Sequence, residues 1–232
     1  MTLKRELSAV RAARTLGALA LAPAGAVCSD ACVTTLAHYH WDTLMGGAFQ
    51  ELLRHVERSV RGGMQTQLAR QYQRDDWWEA VALQPRTVEK IEAAKRELRR
   101  HSLPVTTPAV VGHLTFGFWA ILLSRGDGYD YETRLWRPAL YHAFPYYRGP
   151  REPVRREIDA LRLLRNHLAH PDDTAISTRN LSAAHASIYR VMEWISPDAA
   201  AWLRTVDRVP AVLAARPSPC AGTCIPQQRR GR

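Results

Sequence analysis

The stretch Arg165-Asn166-His167-Leu168-Ala169-His170 sets a guanidinium, an amide and two imidazoles within six consecutive residues. On a helix, at about 100° per residue, Asn166 and His170 fall about 40° apart and one turn from each other. Arg165 lies nearer the apolar stripe of that helix, and its long side chain can snorkel toward the same end. An imidazole moves protons near neutral pH. A guanidinium meets the charge of a phosphate in transit with a planar fork of donors. Together these groups can cleave RNA without a metal, the ribose hydroxyl serving as internal nucleophile. The same residues also suit a structural task, because Arg and His near a helix C-terminus satisfy its last carbonyls and complement its dipole.

Either task requires a helix beneath the motif. Glu152 to His170 has that pattern, with Ile158, Leu161, Leu164 and Leu168 as a buried stripe and Pro171 as its stop. The rest of the chain reads the same way. Thr34 to Val60 carries Leu36, Trp41, Leu44, Ala48, Leu52, Val56 and Val60 on one face, and Gly62-Gly63 should then weaken or bend the helix. Arg86 to Leu98 places Val88, Ile91, Ala94 and Leu98 on one stripe. Thr107-Pro108 is a hydroxyl cap with Pro at the first helical position, followed by Val111, Leu114, Phe118, Ile121 and Leu122. Leu135 to Phe144 is a shorter apolar piece closed off from it by Gly126 and Gly128. Ser177 or Thr178 caps a helix through Ile195, and Ser196-Pro197 starts a short one through Trp202. No alternating strand pattern, phosphate-binding glycine loop or internal repeat interrupts the series. The expected class is all-α, one packed bundle over residues 34–209, with a poorly defined extension at 1–33 and a disordered basic, Pro/Arg-rich tail at 210–232.

The 232 residues carry 32 Lys+Arg against 22 Asp+Glu, a formal charge of +10 that favours a polyanionic partner. At 46% hydrophobic and 23% charged, the composition is that of a globular protein and excludes a disordered or collagenous chain. No apolar run is long enough to cross a membrane. Lys4, Arg5, Arg11 and Arg14 before the apolar run Leu16 to Val27 have the outline of a secretory signal, against which stand Glu6, Pro23 and the Ala/Gly character of the run. The expected location is the cytoplasm. Cys28/Cys32 and Cys220/Cys224 are spaced off the zinc pattern and read as reduced thiols, so neither a metal nor another cofactor is expected. His38, His40, His55 and His142 read as surface or helix-face residues. Trp77-Trp78 could stack bases but more naturally wedges between helices, and Phe116, Phe118 and Trp119 read as core. Asp172 and Asp173 read as solvated carboxylates.

Leu114-Thr-Phe-Gly-Phe-Trp119, Leu135-Trp-Arg-Pro-Ala-Leu140, Ala143-Phe144-Pro145 and Leu164-Arg-Asn-His-Leu-Ala-His170 follow one another in this order. This ordered set resembles the Abi-like family of bacterial abortive-infection proteins, within the HEPN superfamily of all-α domains. Glu51-Leu-Leu-Arg-His-Val-Glu57, Asp76-Trp-Trp-Glu79 and Arg208-Val-Pro-Ala-Val212 also resemble family segments, so the likeness spans about Thr34 to Arg216. The HEPN hallmark is an Arg, a polar residue directly after it, and a His a few residues on, which Arg165, Asn166 and His170 match. The resemblance implies a HEPN-like bundle with flanking helices and a metal-independent endoribonuclease active as a homodimer on RNA. It implies His170 in proton transfer, Arg165 on the phosphorane-like charge and Asn166 as orienter. It also implies a phage-defence or toxin–antitoxin setting with a cognate antitoxin, protein or RNA. Family members commonly carry a second His and then Glu-Pro after the motif His, where this chain has Pro171-Asp172-Asp173. That departure sets a second expectation beside the first: a non-catalytic HEPN module that binds RNA or acts as a scaffold.

Overall fold

A computed structural model describes residues 33–169 and 180–217. Every regular element among them is helical. In chain order they are α1 (Val33–Tyr72), a 3-10 turn at Trp77–Glu79, α2 (Pro85–Arg100), α3 (Thr107–His113) and α4 (Phe116–Leu122). A wide π-type turn at Glu132–Trp136 and a 3-10 turn at Leu140–Ala143 follow, then α5 (Arg151–Ala169), α6 (Leu181–Ile195), α7 (Pro197–Val206) and α8 (Val209–Ala214). The fold is all-α, as the sequence pattern requires. The first 32 residues, both cysteine pairs, residues 170–179 with the caps expected there, and the tail from 218 onward lie outside the described residues.

The chain divides into two compact units. The larger takes Leu52–Asn166 and Ala183–Val206. Its core gathers the bulk that the sequence supplies: Trp77, Phe118, Trp119, Tyr131 and Phe144 are fully enclosed. Phe118 and Trp119 meet edge to face at 5.1 Å, a favoured aromatic geometry. Trp77 donates its indole N–H to Gln65 at 2.8 Å, so it is a wedged core residue and not a stacking platform. The Tyr131 hydroxyl accepts the Gln84 backbone N–H at 2.9 Å and lies 3.2 Å from the Thr87 hydroxyl, tying α2 to the turn before Glu132. Arg151 is buried and donates to the Ser124 carbonyl at 2.7 Å, with Glu132 3.4 Å from its Nε.

The smaller unit takes in residues up to Glu51, His167–Ser182 and the chain from Asp207. Trp41 is its anchor. The indole N–H donates to the Val212 carbonyl at 2.7 Å, and Arg216 lies over the ring at 5.0 Å. Arg208 grips Glu51 through two nitrogens, at 3.0 and 2.8 Å.

Several elements differ from the sequence pattern for identifiable reasons. α1 runs straight through Gly62-Gly63 without ending. Gly63 faces the backbone of Ala143, where a Cβ would stand 3.4 Å from the carbonyl oxygen, so the helix passes close to the 3-10 turn. Leu44 is exposed, and Met45, Phe49 and Leu53 are buried instead, since the inward face of α1 is broader than one stripe. On α2, Thr87 is buried and Val88 is 43% exposed, because Thr87 answers the Tyr131 hydroxyl. The cap of α3 is Thr106, whose hydroxyl accepts from Ala109 N–H, leaving Thr107 and Pro108 as its first two helical residues.

The single helix expected from Thr107 to Leu122 is two. Leu114 and Thr115 are extended. They redirect the chain from α3, which buries Val110, into α4, which is apolar all round and enclosed on nearly every side. α7 continues past Trp202 to Val206, with the Ser196 hydroxyl accepting Ala199 N–H at its start.

Two glycine substitutions should move stability in opposite directions. Gly62→Ala, with open space around it, should stabilise the fold by about 0.5–1 kcal/mol. Gly126 has φ +85 and its Cβ would fall 2.7 Å from the buried Tyr131 ring, so Gly126→Ala should cost about 1–3 kcal/mol. Urea unfolding followed by circular dichroism reads both.

Candidate functional site

α5 buries one side and exposes the other. Val154, Ile158 and Leu161 are at most 1% exposed. Leu164, 5% exposed, continues that stripe, and Arg165 follows it directly at the edge of the buried side. A guanidinium brought toward an apolar face needs a carboxylate to offset its lost hydration. Glu57, one residue after the buried Val56 on α1, supplies it, with its Oε2 3.7 Å from the Arg165 Nε. The Glu57 side chain is 19% exposed and that of Arg165 is 38% exposed. At that distance the contact is an ion pair rather than a hydrogen bond, and more than a third of the Arg165 side chain stays in reach of solvent.

Asn166 points elsewhere. It is exposed and lies about 100° round α5 from Arg165, on the flank it shares with the half-buried Arg155, Asp159 and Arg162 at spacings of four, three and four residues. Arg162 donates from Nε to Asp159 at 2.8 Å, and Arg155 forms a two-pronged pair with Glu152 at 2.8 and 2.6 Å. The structure therefore sets Arg165 and Asn166 on different sides of one helix. His170, and with it Pro171-Asp172-Asp173, lies outside the described residues, so the triad is represented by its first two members. His167, the other imidazole of the stretch, is half-buried.

The partner Glu57 was not singled out as a site residue from the sequence, although it closes the Glu51–Glu57 segment quoted above. The available signal was an acid directly after a core Val on a helix face whose neighbours are apolar. The remaining histidines behave as surface groups. His40 and His142 are exposed, His38 is half-buried, and half-buried His55 packs edge-on against Trp202 at 5.3 Å. Among the described residues no three His, Cys, Asp or Glu stand together as a metal set, and no helix is long and apolar enough to cross a membrane.

No family model matches the chain, and no curated protein or solved structure matches it either.

A double-mutant cycle of Glu57→Ala and Arg165→Ala should give a coupling energy of about 0.2–1 kcal/mol in urea unfolding, the range of half-exposed pairs. A coupling indistinguishable from zero would mean that Glu57 does not hold Arg165.

Proposed function

We propose that the chain is a metal-independent, HEPN-type endoribonuclease that cleaves RNA as a homodimer in an abortive-infection or toxin–antitoxin system. One observation carries this reading. At the end of a strongly amphipathic helix, in a strongly basic chain, Arg165 and Asn166 follow the buried Leu164 directly, and Glu57 stands 3.7 Å from the Arg165 Nε. A guanidinium with a carboxylate beside it and part of its surface in solvent is suited to receive a phosphate.

In this reading the ribose 2′-hydroxyl attacks the adjacent phosphorus, and the 5′-oxygen of the next nucleotide leaves. His170 takes a proton from the hydroxyl or gives one to the leaving oxygen. Arg165 meets the charge that builds on the phosphoryl oxygens. Glu57, 3.7 Å from its Nε, holds the guanidinium near this end of the helix. Asn166 orients the phosphate or the imidazole. The second chain of the dimer supplies the complementary acid or base. The products carry 2′,3′-cyclic phosphate and 5′-hydroxyl ends.

The test is cleavage of total RNA in EDTA by the wild type and by His170→Ala, with the product ends determined. The variant should lose about 10²–10⁴-fold in rate, the usual share of one acid–base group. A folded variant cutting at the wild-type rate would remove His170 from the reaction. RNA bound but left intact by the wild type would favour the non-catalytic module, for which the departure at Pro171-Asp172-Asp173 speaks.

A further inference from the structure

One flank of α5, between its buried and its exposed side, forms a wall of an open cavity of about 310 Å³ in the larger unit. Arg155, Asp159 and Arg162 come from α5, and Lys90 comes from α2. The floor is α4, through Gly117, Ala120 and Ile121. Three cations and one carboxylate thus surround a partly apolar hollow. The space equals about ten water molecules at liquid density, more than a bare ion needs and near the lower bound for small-ligand sites.

The donors are in part already committed, and the pattern of commitment matters. Arg162 uses only Nε for Asp159, so both of its terminal nitrogens remain. Arg155 uses Nε and one terminal nitrogen for Glu152 and keeps the other. Lys90 is exposed and forms no ion pair among the described residues. Asp159 and Glu152 therefore hold the two guanidinium planes without exhausting them, as a fork meant for a tetrahedral anion requires. The floor has its own requirement. At Gly117 a Cβ would stand 3.7 Å from the Arg162 side chain, so a longer side chain at 117 would grow into the space Arg162 bounds.

We infer that this cavity is a binding site for a phosphate group, gripped by Lys90, Arg155 and Arg162, with its sugar over Ala120 and Ile121. The phosphate is that of an RNA strand lying along this flank of α5. That identification of the source rests on the nuclease reading; the phosphate chemistry of the cavity does not. Asn166 follows Arg162 by one helical turn, about 6 Å along the axis, on the same face. A strand held at Arg162 is thereby led toward the helix end that carries the motif.

The experiment measures binding of a fluorescein-labelled, 2′-O-methylated 20-mer of oligouridylate, which cannot be cleaved, across a salt series. Inorganic pyrophosphate is titrated separately by calorimetry. Lys90→Ala and Arg162→Ala should each weaken RNA binding about 3- to 10-fold and lower the slope of log affinity against log salt by about 1. Gly117→Leu should weaken it without removing a charge, provided circular dichroism shows the helical fold intact. Arg96→Ala, a cation on the exposed side of α2 outside the cavity lining, should leave affinity within about twofold.

Equal losses from Arg96→Ala and the cavity variants would overturn the site in favour of diffuse attraction, as would wild-type affinity in Lys90→Ala and Arg162→Ala. If the wild type binds pyrophosphate, the cavity variants weaken it and no RNA binds, the phosphate site stands. The RNA source is then overturned together with the nuclease reading. If RNA binding depends on the cavity while His170→Ala cuts like the wild type, the site stands and the catalytic assignment falls.

Discussion

The apolar side of α5 must be covered, and Arg165 stands at its edge, directly after the buried Leu164. Val154, Ile158 and Leu161 set the direction in which the helix faces inward, and that direction carries the guanidinium with it. An unpaired cation there would lose hydration with nothing in return. Glu57 resolves this, and its own position is set by the buried Val56 and Val60 on either side of it. The orientation of the candidate catalytic cation is thus a by-product of hydrophobic packing on two helices, with one half-exposed ion pair as the adjustment between them.

The same packing decides what the other side of α5 can do. With the aliphatic side chains turned in, the half-buried Arg155, Asp159 and Arg162 and the exposed Asn166 are left on one flank. α4 then converts part of that flank into a cavity. It can lie beneath because Leu114 and Thr115 break the helical run and send a fully apolar segment inward. A continuous helix would have kept Gly117 and Arg162 from meeting in this way. The extended pair at 114–115 is therefore as important to the basic hollow as the charges that line it.

The helical class and the inward stripe of α5 were legible in the sequence because they rest on periodicity. The core role of Phe116, Phe118 and Trp119 followed from size and apolarity alone. What periodicity missed depended on partners distant in the chain. Thr87 displaces Val88 from the interior because of a hydroxyl on Tyr131, 44 residues away. The helix continues through Gly62-Gly63 where propensity alone would weaken it, and Gly63 meets Ala143, 80 residues away, at close range. Glu57 acquires its importance only from Arg165. The cavity is likewise invisible in any local window, since its residues come from three helices. The identity of the motif residues could be read directly; the divergence of Arg165 and Asn166 by about 100° follows from the helical wheel, and the nearness of Glu57 from the fold.

The smaller unit is tied together across almost the full length of the chain. Trp41 bonds the carbonyl of a residue 171 positions later, and Glu51 pairs with an arginine 157 positions later. During synthesis the first part of α1 has no such partners until the segment from Arg208 to Val212 leaves the ribosome. At ordinary rates of about 5–20 residues per second, that wait is about 10–35 s. For that time Trp41 and Glu51 lack the partners that hold them in the finished fold, and a nonsense codon before Arg208 would release a chain that never gains them.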